Sequence, residues 1–377
     1  MRTFEYRMRP SKQQSTSLMA CLVSSRLLYN AGLEELITHY RATGRHLNRF
    51  AQDKAHGKTE HPDLPAVVVD TTLDRLHRSF ANFFRGLKDG RRVGFPRFKV
   101  PQRWNTIQFR DAGHYLKGSY FHAPKSIGGK IRVNAHRPLE GTFKFARVVL
   151  RPSGWFLQCV CETEPTPLPH LDNAVGLDMG ITYLVADSDG WMVHNPKNLQ
   201  LAAEKMAKAQ RRLAKCVRGS RRRRKVRRMV ARHHERVANR RRDILHKVSR
   251  KYVNEYQTIV IEDLKPANMV KNHTLARAIS DASWGMLRGM LEAKAEDAGR
   301  QVIAVRPHYT SQNCSACRQR VQKSLSVRTH FCPHCGHEAD RDTNAACNIL
   351  KAGLRSPDYA GTPRSGTEGE GRCERPA

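Results

Sequence analysis

Apolar positions change rhythm several times along this chain. A short alternating piece opens residues 1 to about 100, and a helical period follows, with Ser11 and Gln14 at the spacing of a capping box. Leu18, Leu22, Tyr29, Leu33, Leu36 and Tyr40 then recur at helical intervals up to Gly44. Leu73, Leu76, Phe80, Phe83, Phe84 and Leu87 do the same before Gly90, so two helices of one bundle are predicted. From about 104 to 170 the period falls to two. Phe143 and Phe145 flank Lys144, and Trp155, Leu157, Cys159 and Cys161 alternate after a turn at Pro152-Ser153-Gly154, which predicts an antiparallel β module.

Beyond about 173 strands and helices mix. Ala174–Asp178, Tyr183–Ala186 and, after the turn Ser188-Asp189-Gly190, Trp191–Val193 fit a three-strand meander. One long basic helical segment is expected from about 198 to 251, then a buried strand at Thr258–Glu262. A further helix leads to a strand at Val302–Val305, after which two cysteine pairs interrupt the pattern. Ala345, Ala346, Ile349 and Leu350 mark a closing helix that Asp342 is expected to open. The stretch beyond Leu354, rich in Gly, Pro, Ser, Thr and charge, reads as disordered.

Charge narrows what such a chain does. In 377 residues, 67 Lys and Arg stand against 34 Asp and Glu, a net charge of +33 and a pI near 10.3, which a folded protein tolerates best beside a polyanion such as nucleic acid. An anionic membrane would also attract this charge, but no apolar run approaches the roughly 18 to 20 residues of a spanning helix. The opening residues Met1–Glu5 lack the apolar stretch of a secretory signal, so no membrane association and a cytoplasmic location are expected. Four of the 10 cysteines form two C-x-x-C pairs, the spacing of a metal site in a reducing compartment.

Those pairs are the strongest chemical signal. Cys314 and Cys317, a gap of 14 residues, then Cys332 and Cys335 offer four thiolates to one Zn²⁺ in a structural ribbon. Protein fills every ligand position, so this ion is expected to fold the loop and do no catalysis. His330, His334 and His337 have no necessary part in it. The second signal is three acids at strand ends and a helix start, Asp178, Glu262 and Asp342, in a strand order of the RNase H type. Two divalent ions about 4 Å apart neutralise the attacking and leaving oxygens of a phosphodiester when carboxylates hold them, and hard ions such as Mg²⁺ or Mn²⁺ prefer oxygen ligands. Each acid also has an ordinary reading as turn residue, strand end or helix cap, and spacing leaves Asp263 and Asp340 as rivals. The third signal is the stretch Lys205–Lys251. There Arg221, Arg222, Arg223, Arg224 and Lys225, and later Arg240, Arg241 and Arg242, surround a thin stripe of Val226, Val230, Val237 and Ile244. Only Glu204, Glu235 and Asp243 oppose them, and so one-sided a run repels itself along a helix unless phosphates neutralise it.

Taken together, the segments Gly176-Leu177-Asp178-Met179-Gly180, Ile261-Glu262-Asp263-Leu264, Tyr309–Cys314 and Asp340–Ala346 resemble those of the TnpB family, transposon-encoded RNA-guided nucleases related to type V CRISPR effectors. The resemblance runs from Phe4 to about Leu354. It implies that Asp178, Glu262 and Asp342, rather than Asp263 or Asp340, are the catalytic acids of a split RuvC-like domain holding two Mg²⁺ or Mn²⁺. Arg328 matches a recurrent basic position and is expected to reach the scissile phosphate. The implied α/β multidomain plan has a β-barrel-like wedge module (1–10 and 104–172) and a helical recognition domain (11–103). A split nuclease domain (173–310 and 338–354), a Cys₄ ribbon (311–337) and a disordered tail (355–377) complete it. The implied partners are a guide RNA from the transposon end and double-stranded DNA bearing a short adjacent motif. Two other classes compete: a repressor that binds without cutting, which should have lost a carboxylate, and an RNase H-fold transposase, which expects no ribbon between the last two acids.

Overall fold

The structure is a computed structural model and describes residues 1–56, 64–110, 116–324 and 327–359. The chain divides into two compact units, Met1–Glu164 and Pro165–Ala377. The first opens with strand β1 (Arg2–Arg9), whose alternation buries Phe4, Tyr6 and Met8. Helix α1 (Lys12–Thr43) starts with the full Ser11–Gln14 capping box and stops where Gly44 turns left-handed at φ 67°. A short helix α2 (Arg49–His56), which the apolar pattern does not announce, precedes α3 (Ala66–Lys88). Leu73, Leu76 and Phe80 of α3 are buried as the period predicts, but Phe84 and Leu87 in its last turn stay half exposed.

Strands β2 (Thr106–Arg110), β3 (Leu116–Lys117), β4 (Tyr120–His122), β5 (Lys130–Asn134), β6 (Thr142–Arg151) and β7 (Gly154–Glu162) join β1 in one antiparallel sheet. Its order is β2-β6-β7-β1-β5-β4-β3, so the first strand of the chain lies well inside the sheet. Helices and sheet bury their apolar faces in one shared core, from Leu18 and Leu73 to Phe109 and Leu157. The helices and this sheet thus lie in the one compact unit that ends at Glu164.

The second unit is built on strands β8 (Ala174–Asp178), β9 (Tyr183–Asp187) and β10 (Met192–His194), helices α4 (Asn198–Ala214) and α5 (Arg221–Glu255), and strand β11 (Thr258–Glu262). Helices α6 (Pro266–Met269), α7 (His273–Ala282) and α8 (Trp284–Ala298) lead to β12 (Gln301–Val305). The hairpin strands β13 (Thr329–Phe331) and β14 (Glu338–Asp340) lead to α9 (Arg341–Leu354). The sheet order is β10-β9-β8-β11-β12, with an antiparallel meander on one side and β8, β11 and β12 parallel. Three helices stand where one was expected before β12.

The basic segment is also not one helix. It breaks at Cys216–Ser220, where Gly219 takes φ 83° and Ser220 caps α5 by accepting from the Arg223 amide at 3.1 Å. Past α9, Tyr359 packs against the small core of Val260, Ile303, Val305 and Ile349, and the Gln301 side chain donates to the Asp358 carbonyl. Residues 360–377, the rest of the expected disordered tail, lie outside the described residues.

The two faces of this sheet differ. Val175, Leu177, Ile259 and Ile261 point toward α5, α7 and α8, where Tyr252, Leu287 and Leu291 complete a large core. The alternate positions, Gly176, Val260 and Ile303, face α9 instead. α9 presses so close that a Cβ on Gly176 would lie 2.2 Å from the Ala346 carbonyl oxygen, and one on Gly353 would lie 2.4 Å from a Val260 methyl. Glycine at 176 is therefore a packing requirement.

Candidate functional site

The same alternation that puts Gly176 and Val260 under α9 puts Asp178 and Glu262 on that face, two residues further along neighbouring parallel strands. The pairing Leu177 with Ile261 leaves the two acids side by side at the carboxyl ends of β8 and β11. Asp342 arrives from the first turn of α9. Burial, then the charges of Glu262 and Asp342, push the Asp178 carboxyl up to about 8, while Arg341 pulls the other way. Burial likewise raises Glu262, which accepts from the Thr310 hydroxyl at 2.6 Å. Asp342 is raised by burial and by Asp340, against Arg328 and Arg341. Asp178 is thus pressed by the two other carboxylates, and the three offer hard oxygen donors of the kind that divalent ions such as Mg²⁺ prefer.

The two rivals have structural partners of their own, although Asp340 still adds its charge to Asp178 and Asp342. Asp340, not Asp342, caps α9, its Oδ1 accepting from the amides of Asp342 at 2.8 Å and Thr343 at 3.2 Å. Asp342 is therefore released from capping, and its charge acts on Asp178. Asp263 is partly exposed and held by Arg288 at 2.5 Å. Arg328 ion-pairs with Asp342 at 3.5 Å and donates to the Thr182 hydroxyl at 2.6 Å, so it sits at the rim of the acid cluster.

The cysteine pairs converge. The Sγ atoms of Cys314, Cys317, Cys332 and Cys335 all lie within 4.8 Å of one another, with Cys314 to Cys335 at 3.7 Å and Cys317 to Cys332 at 3.5 Å. A tetrahedron of Zn–S bonds near 2.3 Å asks for sulfurs roughly 3.8 Å apart, so the four fit one Zn²⁺. Burial raises the Cys332 thiol, but the amides of His334 and Cys335 and the neighbouring thiols outweigh it and bring it down to about 6. His330 is fully buried and His337 meets the Ser315 hydroxyl at 3.2 Å; neither belongs to the sulfur cluster.

What ties this cluster to the acids escaped the motif reading. Asn344 accepts from the Ser315 amide and donates to the Asn313 carbonyl, both at 2.8 Å, and Asn348 donates to the carbonyls of Thr310 and Asn313. Lys351 donates to the Ser315 carbonyl at 2.5 Å. The signal is present: past the first turn of α9 the polar residues Asn344, Asn348 and Lys351 stand at i, i+4 and i+7 among apolar ones. They make α9 a spine that holds the first knuckle on one face and, through Thr310, steadies Glu262.

The basic helices form a hairpin whose cleft, about 1180 Å³, is lined by Arg212, Arg221, Arg222, Arg224, Lys225 and Arg228 among others. Arg223 points elsewhere and donates to the carbonyls of Leu213 and Cys216, closing the end of α4. Arg240 and Arg242 are exposed, whereas Arg241 pairs with buried Asp281 at 2.6 Å. A second hollow, missed in the sequence, joins Arg250 and Lys251 to Lys294 from α8, whose ammonium burial and Arg250 bring down to about 8. Among the described residues no helix is long and apolar enough to cross a membrane.

By fold, this is a mixed α/β protein of the Cas12f1 type: a solved Cas12f1 chain, bound to sgRNA and target DNA, superposes with a TM-score of 0.56 at 14% identity, covering 90% of this chain and 83% of that one. By sequence, the chain belongs to the TnpB family. It is 38% identical to a Streptomyces pristinaespiralis protein named "Putative RNA-guided DNA endonuclease", over 94% of this chain and 89% of that protein. InsQ of Escherichia coli K12, which bears the same description, is 31% identical over 94% of this chain and 92% of its own. The family profile described as "Probable transposase" matches residues 158–273, and the profile "Cas12f1-like, TNB domain" matches 284–349, which takes in all four clustered cysteines and Asp342. A "Helix-turn-helix domain" profile matches 1–45, although here those residues form β1 and one unbroken helix, α1.

Proposed function

We propose that this protein is an RNA-guided DNA endonuclease whose RuvC-like, RNase H-type site is the cluster of Asp178, Glu262 and Asp342. The observation that carries the reading is the convergence of three acids, drawn from β8, β11 and α9, on one face of the sheet. Asp178, Glu262 and Asp342 hold two Mg²⁺ or Mn²⁺, which when bound neutralise charge on the attacking and leaving oxygens of the phosphodiester. Thr310 favours the ionised form of Glu262 through its hydroxyl, and Arg328 opposes the burial that raises Asp342 while remaining open enough to turn toward a phosphate. The four cysteines hold one structural Zn²⁺. The cleft between α4 and α5 takes nucleic-acid backbone. The first unit, with its helices and antiparallel sheet, serves as the recognition and wedge elements that read a short motif beside the target. The names of the relatives and the bound RNA and DNA of the Cas12f1 neighbour support the guidance by RNA.

Asp178→Ala, Glu262→Gln and Asp342→Ala should each lower plasmid cleavage in Mg²⁺ by on the order of a thousandfold, the several kcal/mol that such ions contribute, while DNA binding at matched RNA loading survives. Wild-type cutting by any one of them removes that residue from the site.

A further inference from the structure

Residues 91–100, Arg-Arg-Val-Gly-Phe-Pro-Arg-Phe-Lys-Val, form an extended strap in the first unit that is neither helix nor strand. Both ends are fixed. The Arg91 amide donates to the Gly86 carbonyl at 2.8 Å, and Val93 lies so close over α3 that a Cβ on Gly86 would meet its methyl at 2.5 Å. At the far end the Lys99 amide donates to Asn30 Oδ1 at 2.7 Å, and its carbonyl accepts from Asn30 at 3.1 Å and Arg26 at 3.3 Å, both on α1. Pro96 stiffens the middle. The strap is thus held in one shape without a ladder of its own.

Its surface is unusual for one so well anchored. Phe95 is 48% and Phe98 54% exposed, beside Phe84 of α3 at 51%. Phe95 sets one edge against Phe80 and Phe83, both at 5.4 Å between ring centres. From Arg85 to Arg103 seven Arg and Lys stand against one acid, Asp89, and Arg91 already pairs with it at 2.5 Å. Among the described residues no carboxylate pairs with Arg92 or Arg97. An apolar protein partner would have to bury these unpaired guanidinium groups at a cost, whereas a nucleic acid offers base faces to the rings and phosphates to the cations. Duplex DNA keeps its base faces stacked. RNA loops and single-stranded stretches present theirs.

We propose that the strap is a binding site for unpaired nucleotides of a bound RNA, with Phe95 and Phe98 stacking on bases and Arg92 and Arg97 meeting the phosphates between them. The site rests on the RNA-guided reading for the presence of that RNA and adds to it where unpaired bases are gripped. Stacking of this kind tolerates any sequence, since every base has a face to offer.

The test uses the full chain, wild type and Asp178→Ala, with an oligouridine of about 20 nucleotides carrying 5-iodouridine, irradiated and mapped by mass spectrometry. Cross-links should fall on Phe95 or Phe98. Phe98→Ala should weaken oligouridine binding about tenfold and Phe98→Tyr should restore it, while a fully paired RNA hairpin is bound alike by all three. Arg97→Gln should flatten the salt dependence by about 0.7 in log–log slope. The proposal is overturned if cross-links map away from the strap, or if the strap is labelled by the matching iododeoxyuridine DNA and not by RNA. It is equally overturned if Phe98→Ala leaves oligouridine affinity unchanged and instead dissociates a dimer in sedimentation. No readout here is cleavage, so cutting by Asp178→Ala sinks the nuclease assignment alone, and a silent strap leaves the acid cluster standing.

Discussion

At the scale of single residues, Asp178 is the acid that burial and its neighbours press hardest. A carboxyl whose folded pKa is about 8 holds a proton in the folded chain that an unfolded chain, near 3.9, has already lost. Between those values the folded state binds more protons, so Asp178 costs stability progressively as pH rises through that window, and the cost is absent below about pH 4. Asp178→Asn should therefore melt higher than wild type at pH 8 in buffer free of Mg²⁺ and Mn²⁺. The gap should be several degrees, at roughly 2–4 °C per kcal/mol for a unit of this size, and should close as pH falls toward 4. Adding Mg²⁺ should reverse the order, because the ion stabilises only the protein that can bind it. Calorimetry at three pH values checks this; equal melting at pH 8 would mean that Asp178 is not pressed by its neighbours.

At the scale of elements, neighbouring arginines in one run do different work. Arg223 closes α4 by donating to two carbonyls, while Arg224 lines the cleft. Arg223→Gln should lower stability by about 1.5–3 kcal/mol, as hydrogen bonds from a charged donor are lost, and leave the salt dependence of DNA binding alone. Arg224→Gln should spare the melting temperature and reduce the log–log slope by about 0.9 on duplex. Finding the two variants alike would undo the division. The ribbon is an element of the same kind, since β14 runs directly into the cap of α9 and so into Asp342. Elemental analysis should find about one zinc per chain, lost in Cys314→Ser or Cys332→Ser together with most cleavage. Zinc-free wild-type protein with four freely reactive thiols would refute the assignment.

At the scale of the whole molecule, a charge of +33 provides affinity for any polyanion and discrimination between none. Exchanging a DNA duplex for an RNA–DNA hybrid is nearly balanced in free energy, so backbone contacts of this kind are enough to tip it once pairing has chosen the site. Plasmid cleavage should accordingly depend on bound RNA and move when the guide segment is rewritten. Mapping the cuts with two guides decides it: cutting that is as strong without RNA, or that ignores the guide, would favour a transposase.

The linear order of residues determined whatever depends on neighbours along the chain. Capping at Ser11, the arrest of α1 at Gly44, the alternation of β7 and the spacing of the cysteine pairs all follow from local geometry, and each is legible from a few residues. The choice of Asp342 over Asp340 is different. Both acids stand within three positions of a helix start, and only the fold shows that Asp340 spends an oxygen on the cap while the charge of Asp342, free of that duty, acts on Asp178. Likewise Arg223 and Arg224 are the same residue in the same run until α4 folds back on α5. Thr310 gains its meaning only when α9 brings it to Glu262. Period and spacing report which way a side chain faces on its own element, but a pairing between distant elements is set by packing. Here that packing hangs on the absence of a side chain at Gly176, which lets α9 settle against the sheet.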